Sequence, residues 1–308
     1  MNQARHHHYL SQCYLRGFTK NRGVKSKLTA FDLKNKKIFE SNTRNVGGVR
    51  DFNRIDAEDV DPNVLESTLA EFEGSVATEL NNLSQGKPFS GETKDILLTF
   101  ISLLAVRTPA MREHLQSQIT PIVEMVAKMT VLNQERYEDT IRDYEEKSAK
   151  SLPVVPFEKM KIFVEGGQFS ISVKREFLIA AEMEMSKAID TALRSRSWRL
   201  FRSTDESGTF ITSDHPVSLM WTDGRPGSPG FLVEDTCVLF PISKDIVLYG
   251  DFGDISGQYH ATKKLAAHFN TCVIYNAVER VFSSDRTFNY IDGNGVIKQG
   301  KTYVKLVG

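Results

Sequence analysis

The chain has little that would anchor it covalently or to a metal. Among 308 residues there are three cysteines, Cys13, Cys237 and Cys272. An odd count at wide spacing does not make a disulfide framework, and no CxxC pair exists to begin a cysteine zinc site. Net charge is lacking too, because 39 basic residues balance 39 acidic ones. That removes an overall pull toward nucleic acid or an anionic membrane, while leaving room for a local basic patch. The longest apolar stretch, residues 96–106, is broken by Thr99 and Ser102 and falls short of the roughly 18–20 residues of a membrane span. The first residues carry no apolar segment of the secretory kind. A cytoplasmic protein without membrane contact is the expectation. GxGxxG, GxSxG and HExxH strings are missing, so dinucleotide, α/β-hydrolase and zincin chemistry lack their signatures. A nucleotide phosphate loop is not expected either.

What is present points to an α+β fold. Residues 28–33 and 38–40 flank a polar turn and predict a hairpin. Residues 41–62, with Gly47-Gly48, read as loop. Leu65, Leu69, Phe72, Val76 and Leu80 recur at helical spacing after Asn63, a good cap. A second, more apolar helix follows, with Thr93 as its cap and Leu97, Phe100, Ile101 and Leu104 inside it. Pro109 and Pro121 are expected to divide what comes next. Residues 134–150 are charged on nearly every face, as in an exposed helix. Residues 151–156 are proline-rich, and another helix spans 175–194. Beyond it, residues 197–202 and 208–212 alternate with period two and predict a hairpin. Residues 237–240 and 245–249 pair, and a helix is expected over 257–276. The chain thus reads as one domain, 1–308. It has a β and loop entry (1–62), a helical part (63–195) and a mainly β part with one helix (196–308). The helices would pack on a mixed or antiparallel sheet built from the C-terminal half.

Three clusters could carry chemistry. The first is His6-His7-His8 followed by Tyr9, Gln12, Cys13, Tyr14, Leu15 and Arg16. Consecutive histidines point different ways, so they cannot all face one ion. His8, Gln12 and Arg16, at i, i+4 and i+8, share a face if the segment is helical and ends at Gly17 with φ > 0. They would then orient a phosphate or carbonyl, or merely line the polar side of a helix. The second cluster is Ser213-Asp214-His215 at a strand end before Pro216. Asp214 fits a general base, a metal ligand or the orienter of a histidine, and equally an Asx turn. The third is Arg107, ending the apolar helix. It complements the helix dipole or, buried, fixes a carboxylate or phosphate. His260 and His268 are expected two turns apart on the late helix, with Asn270 after them.

Taken in order, several elements resemble a known family. They are His8-Tyr9 with Tyr14, Leu15 and Phe18; the Arg-Thr-Pro-x-x-Arg string from Arg107 to Arg112; Thr-Ser-Asp-x-Pro-Val from Thr212 to Val217; Phe-Pro-Ile-Ser from Phe240 to Ser243; and the spaced Asn270, Ala277, Arg280 and Ser283. Together they resemble the mostly bacterial domain of unknown function 4238, from Tyr9 to about Ser284. Ser11 stands where that family's pattern has proline. The resemblance implies one continuous domain and no established activity.

Two functional expectations follow. One is a hydrolase, or nuclease, of a phosphate-containing small molecule or nucleic acid. His8 and Asp214 would be its acid–base pair, and Gln12, Arg16, Arg107, Ser213 and Asn270 its substrate contacts. A divalent metal is compatible with it. The other is a non-catalytic binding or sensor module of bacterial stress response or phage defence. Convergence of His8, Arg107 and Asp214 in one pocket favours the first; scatter, with each bonded to backbone, favours the second. No partner of defined oligomeric state follows from the sequence.

Overall fold

Residues 5–149, 151–153, 155–167 and 169–305 are described by the computed structural model; Val154, in the proline-rich segment, lies outside them. The chain opens with β1 (His6–His8), α1 (Gln12–Arg16), β2 (Lys27–Asp32), β3 (Lys37–Asn42) and β4 (Gly48–Arg50). Six helices follow: α2 (Val64–Ser84), α3 (Gly91–Val106), α4 (Pro109–Thr130), α5 (Gln134–Ser148), α6 (Phe157–Glu165) and α7 (Arg175–Arg194). Then come β5 (Ser197–Arg202), β6 (Thr212–Ser213), β7 (Ser218–Trp221), β8 (Thr236–Ser243), β9 (Ile246–Asp251), β10 (Gly257–His260), α8 (Lys263–Asn276), β11 (Arg280–Ser283), β12 (Asn289–Ile291) and β13 (Ile297–Gln299). The fold is α+β.

The chain forms two compact units, Met1–Pro109 with Ile179–Gly308, and Ala110–Leu178. In the first, a five-stranded sheet of order β10-β5-β9-β8-β7 comes wholly from the C-terminal half. A four-stranded sheet, β3-β2-β11-β6, joins the N-terminal hairpin to C-terminal strands. Every residue of β8 is buried, because both of its faces are covered. Val238 and Phe240 point into one core with Tyr14, Leu15, Phe18, Leu97, Ile101 and Leu104. Leu239, one residue out of phase, enters a second core with Phe31, Phe210, Phe269, Val281 and Phe288. The period of two along the strand divides its side chains between helices on one side and α8 with the smaller sheet on the other.

The second unit has a modest core of Val131, Tyr137 and Val164, with Ala127, Ile141, Phe157, Met160 and Phe169 around it. Tyr137 donates to the Val155 carbonyl at 2.9 Å, tying α5 to the segment before α6.

Several expected elements differ. Residues 208–212 form no hairpin with β5; β5 pairs with β9 and β10, and Thr212 pairs with β11 instead. Buried Phe210 and Ile211 serve the second core, so their alternation reflected packing and not a local turn. The late helix starts at Lys263, capped by Thr262. Gly257–His260 is a strand parallel to β5, which puts His260 on a different element from His268. Ser90, not Thr93, is the cap of α3; the Thr93 hydroxyl donates to Glu79 Oε2 at 2.5 Å and ties α3 to α2. Pro109 starts α4, where its missing N–H costs nothing, and Pro121 lies inside that helix without ending it.

Candidate functional site

Five residues make too short a helix to persist alone. What holds α1 is Tyr14. Its ring is fully buried and stacks on Phe240 at 5.2 Å. Its phenol donates to the Pro241 carbonyl at 2.9 Å and lies 2.6 Å from Thr212 Oγ1. One side chain thus fastens α1 to β8 and β6. The helix ends at Gly17, whose φ is −58°, so the expected left-handed cap is absent. Glycine is needed there for close approach: a Cβ would meet the Ile242 carbonyl oxygen and Ser243 Cβ at 3.1 Å. The Lys244 N–H donates to the Gly17 carbonyl at 3.0 Å, closing α1 onto the turn between β8 and β9.

This docking puts Arg16 in the wall of a cavity of about 190 Å³, lined also by Cys13, Gly17, Arg22, Asn81, Ser84 and Ser243. Arg16 Nε is buried and has no hydrogen-bond partner among the described residues. Arg22 lies on the same cavity and donates to Asp245 at 2.5 Å and to Ser243 Oγ at 3.3 Å. Ser243 Oγ also accepts from the Asp245 N–H at 3.2 Å. With both lone-pair directions taken, its own proton is available to the cavity. Burial pushes the Cys13 thiol up to about 11, against a hydrogen bond with Ser11, so the thiol adds no negative charge. The cavity therefore offers one guanidinium with donors to spare, a second held by a carboxylate, and a hydroxyl donor. A small anion fits that set.

A second polar cluster surrounds Arg107. Its guanidinium is buried and donates to Asn53 Oδ1 at 3.4 Å. Asn53, itself fully buried, donates from Nδ2 to Glu66 Oε2 at 2.6 Å and from its backbone to His7 Nδ1 at 2.9 Å. Burial raises the Glu73 carboxyl, while Ser11 and the charge of Arg107 lower it. Of the two readings open for Arg107, the buried guanidinium among polar partners is the one that the structure displays. Asn53 and Glu73 were missed in the sequence, and His7, seen in the histidine run, was passed over for His8. Asn53 lies in a stretch read as loop, and the partner of its backbone is a neighbouring histidine in a strand, so neither spacing nor motif marked them.

His8, Gln12 and Arg16 do not share a helical face. His8 belongs to β1, paired through Gly48 with β4. The Gly47 carbonyl accepts from both Tyr9 and Leu10, and this anchors the entry as a strand. His8 Nε2 is 3.2 Å from the Arg44 carbonyl. Burial lowers its pKa below 6.5, with the Arg44 hydrogen bond acting the other way. Gln12 is half-buried in the first turn of α1 and makes no side-chain hydrogen bond among the described residues.

Asp214 is buried beside β6. Its Oδ1 accepts from the Val278 N–H at 3.0 Å, and its Oδ2 from Glu279 at 2.7 Å and Arg280 at 3.1 Å. Burial raises this carboxyl and the three N–H groups pull it back. It caps the turn that leads from α8 into β11, some 64 residues away, and not its own Asx turn. Ser213 Oγ donates to the His215 carbonyl at 2.9 Å. Asn270 Nδ2 donates to the Thr209 and Asn289 carbonyls at 3.0 and 2.9 Å, and its Oδ1 accepts from Ile211 at 3.1 Å. His8, Asp214 and Asn270 share no hydrogen-bond partner among the described residues. Nor does any group of three or more His, Cys, Asp and Glu side chains there stand ready to hold a metal ion.

One string escaped the sequence reading. Residues 295–302 spell Gly-x4-Gly-Lys-Thr, the letters of a phosphate loop. Such a loop needs free N–H groups between the glycines, following a strand and opening a helix. Here Ile297–Gln299 is itself a strand, paired with β12, so the backbone geometry of a phosphate loop is not formed.

No helix among the described residues is long and apolar enough to cross a membrane. Compared with known families, residues 6–287 match the model described as Protein of unknown function (DUF4238). No curated protein matches the chain, and no solved structure does.

Proposed function

This chain belongs to the DUF4238 family, and on that premise we propose that it is a non-catalytic binding module that takes a phosphate-bearing ligand through Arg16. The observation that carries this reading is Arg16, which lines a cavity shared with Arg22 and Ser243 and whose buried Nε has no hydrogen-bond partner among the described residues. A buried polar donor left unpaired costs on the order of 1–3 kcal/mol, and more for a charged group, so such a donor is a natural place for a ligand oxygen. At about 190 Å³ the cavity admits an anionic head group, with the rest of the ligand outside it. The hydrolytic alternative has less support. His8 Nε2 is engaged by the Arg44 carbonyl, and the Asp214 carboxylate accepts from the backbone N–H groups of Val278, Glu279 and Arg280.

The test is a thermal-shift panel of inorganic phosphate, pyrophosphate, nucleoside mono- and diphosphates and dicarboxylates, run on the native chain and on Arg16→Gln. The reading expects stabilisation by at least one phosphate compound, weakened by added salt and lost in Arg16→Gln. Equal shifts in both proteins, or none in the native chain, would remove it. Phosphate-ester hydrolysis assayed in the same samples tests the alternative. Turnover abolished by His8→Gln and by Asp214→Asn would favour that reading.

A further inference from the structure

We propose that the chain pairs with a second copy of itself through α4, forming a twofold antiparallel helix pair. Along its 22 residues α4 has no fully buried side chain, with Leu115 and Ile119 half-buried, although it is amphipathic. Leu115, Ile119, Ile122, Val126 and Met129 recur at spacings of three and four, and Met125 sits beside them, so they form one stripe along the helix. Ile122 and Met125 are each 56% exposed and Val126 is 52% exposed; Leu132, just past the helix, is 63% exposed. The small core of the same unit takes only Ala127 and Val131 from this region, which lie on a different side of the helix. Pro121 is about a quarter-turn or more from the stripe's centre and does not interrupt it.

The occupant follows from area and charge. Ile122, Val123, Met125, Val126, Met129 and Leu132 together expose roughly 500 Å² of side chain. Two copies face to face therefore bury at most roughly 1,000 Å² from these side chains, about what a specific protein interface needs. A twofold contact sets each patch against itself, so a charged stripe would repel its own copy. This stripe has no charged residue, its nearest polar member being Gln118, and Glu124 and Lys128 lie off it. The whole chain has zero formal net charge, so two copies meet without long-range repulsion. Met125 and Met129, being flexible, can fill the seam between the helices.

Sedimentation velocity of the full chain across roughly 1–100 µM, a range that brackets a micromolar Kd, tests the pairing. The native chain is expected at twice the single-chain mass of 34.8 kDa. Ile122→Lys and Val126→Glu, both at exposed positions, are expected at the single-chain mass with unchanged far-ultraviolet circular dichroism. If either variant changes the dichroism, Met125→Lys, at an equally exposed position, takes its place. A native chain that stays at single-chain mass throughout, whatever else covers the stripe, overturns the proposal. So does a dimer that persists in folded stripe variants, since it would use another surface.

Discussion

Removing one oxygen, in Tyr14→Phe, tests whether α1 is held as described. The ring is unchanged, so its contacts with Phe240, Phe18 and Phe100, at 5.2, 5.3 and 5.9 Å, should survive. What goes is the hydroxyl between the Pro241 carbonyl and the Thr212 hydroxyl, all of them buried. An unpaired buried polar group costs about 1–3 kcal/mol. The carbonyl loses this donor, but the threonine hydroxyl can rotate, so the net loss should be about 2 kcal/mol. For a unit of about 240 residues, with an unfolding entropy near 2.1 cal/mol/K per residue, that is a fall of roughly 4 °C in Tm. Differential scanning calorimetry and urea unfolding would measure it. Thr212→Val provides the control. It removes the other polar group, so the double variant should be less destabilised than the sum of the single ones, with a coupling of about 1 kcal/mol. A Tyr14→Phe protein within 0.5 kcal/mol of the native chain, or a strictly additive double variant, would refute the anchoring.

Two more perturbations probe residues whose role changed once the structure was known. Asn270→Ala strands the Ile211 N–H and the Thr209 and Asn289 carbonyls; a loss of about 4 kcal/mol is expected in urea unfolding, and a loss under 1 kcal/mol would contradict a structural clamp. His8 is held below its ordinary 6.5 by burial. Between its folded value and 6.5 the unfolded chain binds more protons than the folded one, so stability rises with pH there. The contribution is complete at neutral pH and is lost as pH falls through that window. His8→Gln should flatten the acid side of the stability profile; a variant as steep as the native chain would show that His8 titrates normally.

The long-range organisation was legible in the sequence where periodicity was sustained. The hydrophobic spacing from Leu65 to Leu80 and from Leu97 to Leu104 became α2 and α3, and the stretch around Val238 and Phe240 became the fully buried β8. Short segments misled, because two or three residues fit either period. His8 had helical spacing to Gln12 and Arg16, yet His6–His8 is a strand that pairs with β4, because Gly47 and Gly48 let that strand approach closely. Gly257–His260 joined a helix on paper and a parallel strand in the fold. Polar residues were the hardest to interpret. Ser213, Asp214 and Asn270 attracted attention as chemistry; Ser213 makes the local turn with His215 that its place before Pro216 suggested, but Asp214 and Asn270 bond backbone groups up to 66 residues away, which no local spacing reveals. Arg16 stood out for its type and place on α1, whereas its cavity partners Arg22 and Ser243 converge only through the docking of Gly17 on the β8–β9 turn.

The most direct measurement is the side-chain Nε–H resonance of Arg16, assigned by its absence in Arg16→Lys and followed by nitrogen–proton NMR as pyrophosphate is added. The account predicts a saturable shift of that signal, with a smaller one at Arg22, and its suppression by salt. A signal that stays still while the exposed arginines move together would mean that the anion only screens the surface, and the Arg16 cavity would then not be a binding site.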